Sequence, residues 1–343
     1  MWSKDLKVFL DLSTYCNAAC PQCIRTNPDG LEKSSFLPLV QWSLNTFKKA
    51  FPPSEAKNVA FWEICGTFGD PLMNKDIVEI VHYIVSNSTS TIMISTNGSM
   101  RDEEFFWDLG VLGGKQLQII FAIDGIDQKM HSHYRRKTDL KKVLKHMEVL
   151  SQTEARVKSQ TILFKHNEDY QDQIKSMAYK HGSSQHMFIV SDRFVNGEKF
   201  VFKDEDGKDQ FFERADPTKL KNKTIMGSKY NSFEEQEEFI HCRWAQQNKV
   251  VVNVDGQVAP CCYTANPFFV WKERITDDPD NQTVMMNYLN NKDQYNIFKH
   301  KLSDIVKSKW FESELASSFE KNPSPICVKN CSQKSKKVYF KGM

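Results

Sequence analysis

Hydrophobic positions along the chain switch repeatedly between two periods. Short apolar runs of strand length occur at Lys7–Leu12 (KVFLDL), Val59–Ile64 (VAFWEI), Thr91–Ser95 (TIMIS), Leu117–Ile123 (LQIIFAI), Val157–Phe164 and Met187–Val190. Between them, Leu39–Phe51, Ile77–Val85, Met100–Leu109, Leu140–Leu150 and Asp169–Tyr179 place apolar residues at helical spacing. A strand–helix repeat carried through about six strands predicts a parallel sheet covered by helices. Periodicity alone leaves open a doubly wound sheet and a full or partial barrel. In either, chemistry sits in the loops at the carboxyl ends of the strands.

The pattern changes after the sixth predicted strand. Lys203–Lys223 is dense in charge and poor in apolar pairs, so residues 196–240 read as a connector with some local structure. Beyond it, Lys249–Val254 (KVVVNV), Asp255-Gly256 and Gln257–Cys261 predict a hairpin, because Gly accepts positive φ in a tight turn. Residues 303–320 predict a helix that Pro323 and Pro325 end. The expected organisation is a core over 1–195, a connector over 196–240 and a small α+β domain over 241–343.

Charge and length narrow the function classes. The 343 residues carry 46 basic and 43 acidic side chains, a net charge of +3 that does not support a nucleic-acid surface. The basic tail KSKKVYFKGM reads as a solvated end. No apolar stretch approaches the roughly 20 residues that span a bilayer. The first residues, MWSKDLKVFLDLST, lack the apolar segment of a signal peptide, so a cytoplasmic protein is expected.

Nine cysteines, at 16, 20, 23, 65, 242, 261, 262, 327 and 331, change the picture. In a reducing compartment an odd, clustered set favours metal ligation over disulfides. Cys16, Cys20 and Cys23 follow the first predicted strand as C-x3-C-x2-C (CNAACPQC). Three thiolates leave one coordination position open, and open sites do chemistry. A [4Fe–4S] cluster normally takes four cysteines, so the missing ligand reads as a reactant. The triplet alone also admits a zinc knuckle completed by a distant His or Cys.

This motif, followed by the loops below, resembles the radical S-adenosylmethionine (radical SAM) enzymes. GTFGDP (66–71) after the second strand resembles that family's Gly-Gly-Glu-Pro segment, with Phe68 and Asp70 as departures. STNG (95–98) resembles the segment that meets the ribose and methionine parts of SAM, and Ile123-Asp124-Gly125 resembles its Ser-Ile-Asp-Gly segment, with Ala122 in place of the hydroxyl. The resemblance, over about residues 5–195, implies a partial (β/α)6 barrel. It further implies a [4Fe–4S] cluster on Cys16, Cys20 and Cys23, and reductive cleavage of SAM to a 5′-deoxyadenosyl radical that abstracts hydrogen from a substrate. Gly69, Asp70, Pro71, Ser95, Asn97, Asp124 and Arg135 are the SAM-binding candidates it implies. Arg135, in HSHYRR (131–136), is the guanidinium able to pair with the SAM carboxylate, and Arg136 reads as a solvated helix start. Gln22 stands where many relatives carry an aromatic residue near adenine.

Downstream, Cys242-x13-Gly256-x4-Cys261 and Cys327-x3-Cys331 resemble the auxiliary-cluster domains called SPASM and twitch. The resemblance implies one auxiliary [4Fe–4S] cluster on Cys242, Cys261, Cys327 and Cys331. A zinc staple is the alternative. Cys262 is set aside because neighbouring strand residues face opposite ways, and Cys65 reads as a buried thiol. No general base stands out, and His131, His133 and His166 are assigned no role. The expected partners are SAM, a peptide, protein, small alcohol or sugar as substrate, and an electron donor such as flavodoxin or ferredoxin, without membrane or nucleic acid. The contrasting reading is an inactive, zinc-stapled binding protein on the same fold, motivated by Gln22, Phe68 and Ala122.

Overall fold

The computed structural model describes residues 5–191, 193–194, 197–220, 238–270 and 284–334. The chain divides into two compact units. The larger comprises Leu10–Lys49 and Ala60–Gly227, and the smaller comprises Met1–Phe9, Ala50–Val59 and Ser228–Met343.

Strand β1 (Leu6–Leu10) starts in the smaller unit and ends in the larger. In the larger unit, β2 (Val59–Cys65), β3 (Thr91–Thr96), β4 (Leu117–Ala122), β5 (Arg156–Leu163) and β6 (His186–Val190) lie side by side in chain order. Each of these pairs is parallel, with Ile64 opposite Ile94, Ile94 opposite Ile119, and Ser159 opposite His186. A doubly wound sheet reverses its order at a switch point. Strands β2–β6 show no such reversal, which favours barrel-type winding over a doubly wound sheet.

The helices are α1 (Leu44–Ala50), α2 (Pro53–Ala56), α3 (Ile77–Asn87), α4 (Glu103–Gly113), α5 (Gln128–Tyr134), α6 (Leu140–Ser151) and α7 (Gln171–Lys180). Aspartates set three of their starts. Asp102, Asp127 and Asp139 accept from the backbone N–H of Phe105, Met130 and Lys142 at 3.0, 2.8 and 3.2 Å. That is why α4 begins three residues later than expected: Arg101 has φ +74° and Asp102 is extended. The helix expected from Leu39 also starts late. Residues 40–42 instead pair with the chain after β1, through Thr14 N to Val40 O (2.9 Å) and Trp42 N to Leu12 O (3.0 Å). Arg136 is not at a helix start. It lies beyond the end of α5, paired with Glu205 at 2.8 Å and stacked over Phe202.

Within the expected connector, β7 (Lys199–Lys203) and β8 (Asp209–Glu213) form an antiparallel hairpin. Phe202 and Phe212 are buried, and Val201 and Phe211 are exposed, which is the period-two alternation of a half-buried ribbon. Most of the rest of the connector, and the basic tail, lie outside the described residues.

In the smaller unit β9 (Glu238–Ile240) leads to α8 (Arg243–Gln246), and the expected hairpin forms from β10 (Lys249–Val252) and β11 (Val258–Ala259). Gly256 has φ +81°, and a Cβ there would meet the Phe298 ring at 2.6 Å, so both conformation and space demand glycine. Helix α9 (Cys262–Phe269) follows. The helix expected over 303–320 is broken into Leu302–Val306, a π turn at Trp310–Glu314, and Leu315–Lys321. The turn lets both Trp310 and Phe311 be buried, with the indole N–H donating to Val284 O at 2.8 Å. Pro325 begins a further helix, Pro325–Cys331, and β12 (Ser332–Lys334) returns against β9. Among the described residues no helix is long and apolar enough to cross a membrane.

Two buried histidines make the larger unit acid-sensitive. His186 hydrogen-bonds the Ser159 and Thr161 hydroxyls at 2.7 and 3.0 Å, and His131 bonds the Asp124 N–H and Thr138 Oγ1. Burial pushes both imidazoles down to about 4. The unfolded chain therefore binds their protons first, and stability is lost as pH falls from about 6.5 towards 4, by about 1.4 kcal/mol per pH unit for each histidine. In urea titrations across this range, His186→Gln is expected to flatten the pH slope by about one proton. An unchanged slope would remove His186 from this account.

Candidate active site and auxiliary thiol site

The loop after β1 carries Cys16, Cys20 and Cys23. Cys20 is buried and the other two are half-buried. The loop is shaped by short-range bonds, with Cys23 N donating to Cys20 O (2.9 Å) and Ala18 N to Cys16 Sγ (3.4 Å). The loop after β2 presses against its base. A Cβ on Gly69 would stand 2.2 Å from Ser13 O, and one on Gly66 would stand 1.9 Å from Gly69 O, so neither position admits a side chain. Phe68 is buried and its carbonyl accepts from Arg25 Nε at 3.0 Å, which gives this departure a packing role.

Asp70 is the centre of the constellation. Its carboxylate accepts from Leu72 N (3.0 Å), Thr96 Oγ1 (2.9 Å), Asn97 N (2.7 Å) and Asn97 Nδ2 (2.6 Å), while its own N–H donates to Tyr15 O (2.7 Å). Burial pushes the carboxyl upward, and the donors from Asn97, Thr96 and Leu72 oppose this. Asn97 Nδ2 also reaches Asn17 Oδ1 at 2.9 Å and Cys16 Sγ at 3.8 Å. Pro71 opens a helical turn that Asp70 caps. Ser95 remains half-buried at the end of β3. Thr96, which sequence reasoning passed over, supplies the hydroxyl to Asp70. Strand alternation is the signal that separates the two, since neighbours in a strand face opposite sides.

Asp124, fully buried, holds the end of β4 to β5. Its Oδ1 accepts from Ile162 N at 2.6 Å and its carbonyl accepts from Asn167 Nδ2 at 3.1 Å. Its Oδ2 pairs with Arg135 Nε. The far edge of the guanidinium, Nη1, lies 3.9 Å from Cys20 Sγ. Arg135 is thus brought to the cysteine loop with its Nε edge already occupied. Gln22 is buried. Its Oε1 accepts from Ser191 Oγ at 2.8 Å, and its Nε2 meets no acceptor. His133 and His166 contact edge to face at 4.5 Å beside Phe212.

The second thiol set is assembled by strand register and helix periodicity. Ser332 opposite Ile240 places Cys331 beside Cys242, with His241 N donating to Cys331 O at 2.9 Å. Cys327 and Cys331 share one face of a helix at i and i+4. Cys242, Cys261, Cys327 and Cys331 all line one cavity, closed by Ile240 and Phe319 among others. Cys261 is the extended residue before α9 and Cys262 is the first helical one, so a helix start, and not strand alternation, separates them. Cys262 is not among the residues lining the cavity. Cys65 sits at the end of β2, 3.5 Å from Glu63 Oε1, and joins neither set.

Both sets behave as interacting thiols. Burial raises Cys16, with Asp70, Cys20 and Cys23 adding to it, and raises Cys20 to about 11 against the pull of Arg135. Burial, Cys331 and Cys242 raise Cys327 to about 12, and burial, Cys262 and Cys327 raise Cys261. Buried thiols that resist ionisation one by one suit a cationic group that takes them as thiolates together. Among the described residues no three His, Cys, Asp or Glu side chains group as ligands of a single ion. The donor chemistry, soft sulfur in sets of three and four, fits iron–sulfur groups, and the unpartnered Nε2 of Gln22, the residue before Cys23, fits a ligand with a hydrogen-bond acceptor.

Comparison with known proteins agrees with this layout. Residues 242–332 match SPASM, an iron–sulfur cluster-binding domain. GTP 3′,8-cyclase from Synechocystis sp. is 25% identical over 164 residues, 48% of this chain and 47% of that protein. The chain therefore matches about half the length of this curated relative. Among solved structures, Streptococcus suis SuiB bound to S-adenosylmethionine superposes with a TM-score of 0.56 at 13% identity, covering 93% of this chain and 68% of SuiB. Native anSMEcpe with bound AdoMet and the Kp18Cys peptide superposes at 0.55 and 12% identity, covering 97% of this chain and 91% of that one. The fold is thus the α/β partial barrel of the radical SAM type with a small cluster-binding domain, as the strand-end motifs implied. The solved structures thus share the fold of this chain, the sequence relative resembles about half of it, and its C-terminal segment matches the SPASM domain.

Proposed function

We propose that the chain is a radical SAM enzyme acting on a peptide or protein, with a catalytic cluster on Cys16, Cys20 and Cys23 and an auxiliary [4Fe–4S] cluster on Cys242, Cys261, Cys327 and Cys331. The observation that carries this reading is the pairing of an incomplete three-thiol loop at the strand ends with a complete four-thiol cavity in the SPASM segment. Held by Cys16, Cys20 and Cys23, a [4Fe–4S] group would supply the one electron that splits SAM into methionine and a 5′-deoxyadenosyl radical able to take a hydrogen atom from the substrate.

The chain's own residues do the holding and shielding. Asp70 keeps Asn97 beside Cys16, where its amide and the Ser95 hydroxyl offer polar contacts to SAM. Gly69, Asp70 and Pro71 bring backbone close to the cysteine loop without side-chain bulk. Gln22 Nε2, which meets no acceptor, offers a further donor. Phe164, Phe202 and Phe212 pack with Ala18, Ala19 and Cys20 and keep water from the loop. The four-thiol site, with no position left open, suits electron relay. Two similar structures hold peptides, SuiB its precursor peptide SuiA and anSMEcpe the Kp18Cys peptide, which favours a peptide or protein over a small alcohol or sugar. An external one-electron donor of the flavodoxin or ferredoxin class is required. The absence of a membrane-length helix among the described residues is compatible with a cytoplasmic site of action.

Two measurements test this. After anaerobic reconstitution, about eight irons per chain are expected, falling to about four when Cys16, Cys20 and Cys23 are replaced by alanine. Zinc without iron in the wild type would establish a metal-stapled binding protein instead. With dithionite and SAM, the wild type is expected to form 5′-deoxyadenosine and Cys20→Ala to form none. Formation by the variant at the wild-type rate would sink the proposal.

A further inference from the structure

The guanidinium of Arg135 has two edges, and the structure uses them differently. Nε is bound by Asp124, whose side chain is fully buried. Nη1 lies 3.9 Å from Cys20 Sγ, the most buried thiol of the loop. The Arg135 side chain is 14% exposed and lies over the Tyr134 ring, with its centre 5.1 Å away. Asp124 is itself fixed by the Ile162 N–H, and the Arg135 backbone is fixed as the residue that ends α5, so both partners of the ion pair are anchored. This is the geometry of a charged donor aimed at sulfur and clamped from behind.

The surroundings strengthen the charge. Tyr134, Phe164, Phe194, Phe202 and Phe212 form one apolar cluster with Ala18, Ala19 and Cys20. The β7–β8 hairpin is fastened over this cluster, by Lys203 N to Pro28 O (2.8 Å) on one flank and Lys165 N to Glu213 O (3.0 Å) on the other. With water excluded, a cation at the sulfur is screened less than at the surface. Hydrogen bonds to the sulfurs and burial are among the factors that set iron–sulfur reduction potentials.

We propose that Arg135, locked by Asp124, is a positioning residue that raises the reduction potential of the cluster on Cys16, Cys20 and Cys23 through Cys20, and that it does not serve as a clamp for the SAM carboxylate. One-electron reduction adds a negative charge to the cluster, and a cation next to one of its thiolates favours that reduced form. The inference rests on the cluster assignment made above.

The test is an EPR-monitored reductive titration of the reconstituted full chain, without SAM, using dithionite as electron source. The variant lacking Cys16, Cys20 and Cys23 supplies the auxiliary signal to subtract. Arg135→Gln is expected to lower the ratio of reduced to oxidised cluster at a fixed potential at least tenfold, a negative shift of about 59 mV. Arg135→Lys, which keeps the charge, is expected to stay within a few-fold of wild type. Because Arg135→Gln strands a buried Asp124 and can fail to fold, the neutral pair Arg135→Gln/Asp124→Asn is measured as well, and the same sign of shift is expected. SAM affinity, by equilibrium dialysis, is expected to change less than tenfold in Arg135→Gln. An unchanged potential with iron content intact overturns the inference and leaves the parent reading standing, as does loss of SAM binding at unchanged potential. A wild type holding no iron on the three-cysteine loop overturns both.

Discussion

Asp70 is a carboxylate buried where three strand ends meet, and it is spoken for on every side. It takes N–H and O–H donors from the turn that follows it and from Thr96 and Asn97 after β3, and its own N–H is given to Tyr15 beside Cys16. Burying a carboxylate without such partners costs several kcal/mol, so the loops after β1, β2 and β3 cannot settle independently. Each supplies what the shared acid lacks. The glycines serve the same constraint from the steric side: Gly69 lets the backbone carrying Asp70 come against Ser13 and Tyr15. A departure from glycine at Phe68 is tolerated because that ring turns inward and its carbonyl finds Arg25.

Much of this was legible from residue order alone. The strands are legible to within about two residues because most of their buried positions are apolar, although β5 (RVKSQTIL) buries Ser159 and Thr161 among them. Helix starts were less legible. Asp102 as a cap displaced α4, and backbone pairing of residues 40–42 delayed α1; both are interactions that hydrophobic spacing does not register. At the β3 loop the family resemblance names Ser95, while Thr96 carries the bond to Asp70. The hydroxyl that matters there depends on which face of β3 looks towards the loop after β2, which is a question of pairing.

The two thiol sets show the difference between local and assembled sites. Cys16, Cys20 and Cys23 lie within one loop, so spacing alone brings them together. The other four are scattered over 90 residues of sequence between Cys242 and Cys331 and converge through the β9–β12 register and the i, i+4 face of Pro325–Cys331. Their grouping is a tertiary fact. The choice between Cys261 and Cys262 illustrates it: the Gly256 spacing named Cys261, but the separation comes from α9 beginning at Cys262.

The segment least readable in sequence has a large effect on the environment of the cysteines. KFVFKDEDGKDQFFE is charged enough to look like a solvated connector. Folded as β7–β8, it divides its residues by face, the charges and Val201 and Phe211 outward, Phe202 and Phe212 inward against the cysteine loop. Average composition hides such a ribbon because half of it is meant for water. Its inward rings remove solvent from around Cys20, and removing solvent has two consequences that pull in opposite directions. An unpartnered thiolate becomes harder to form, as the raised Cys16 and Cys20 values express. Any fixed charge nearby acts more strongly. A buried cysteine loop of this kind therefore needs a cation whose position does not wander, and a lone arginine in an apolar pocket would be driven to solvent. Asp124 prevents that, at the expense of burying a second charge, and the Ile162 N–H holds Asp124 in turn. The apolar ribbon and the ion pair are two parts of one arrangement: the first makes the field at Cys20 strong, and the second fixes its sign.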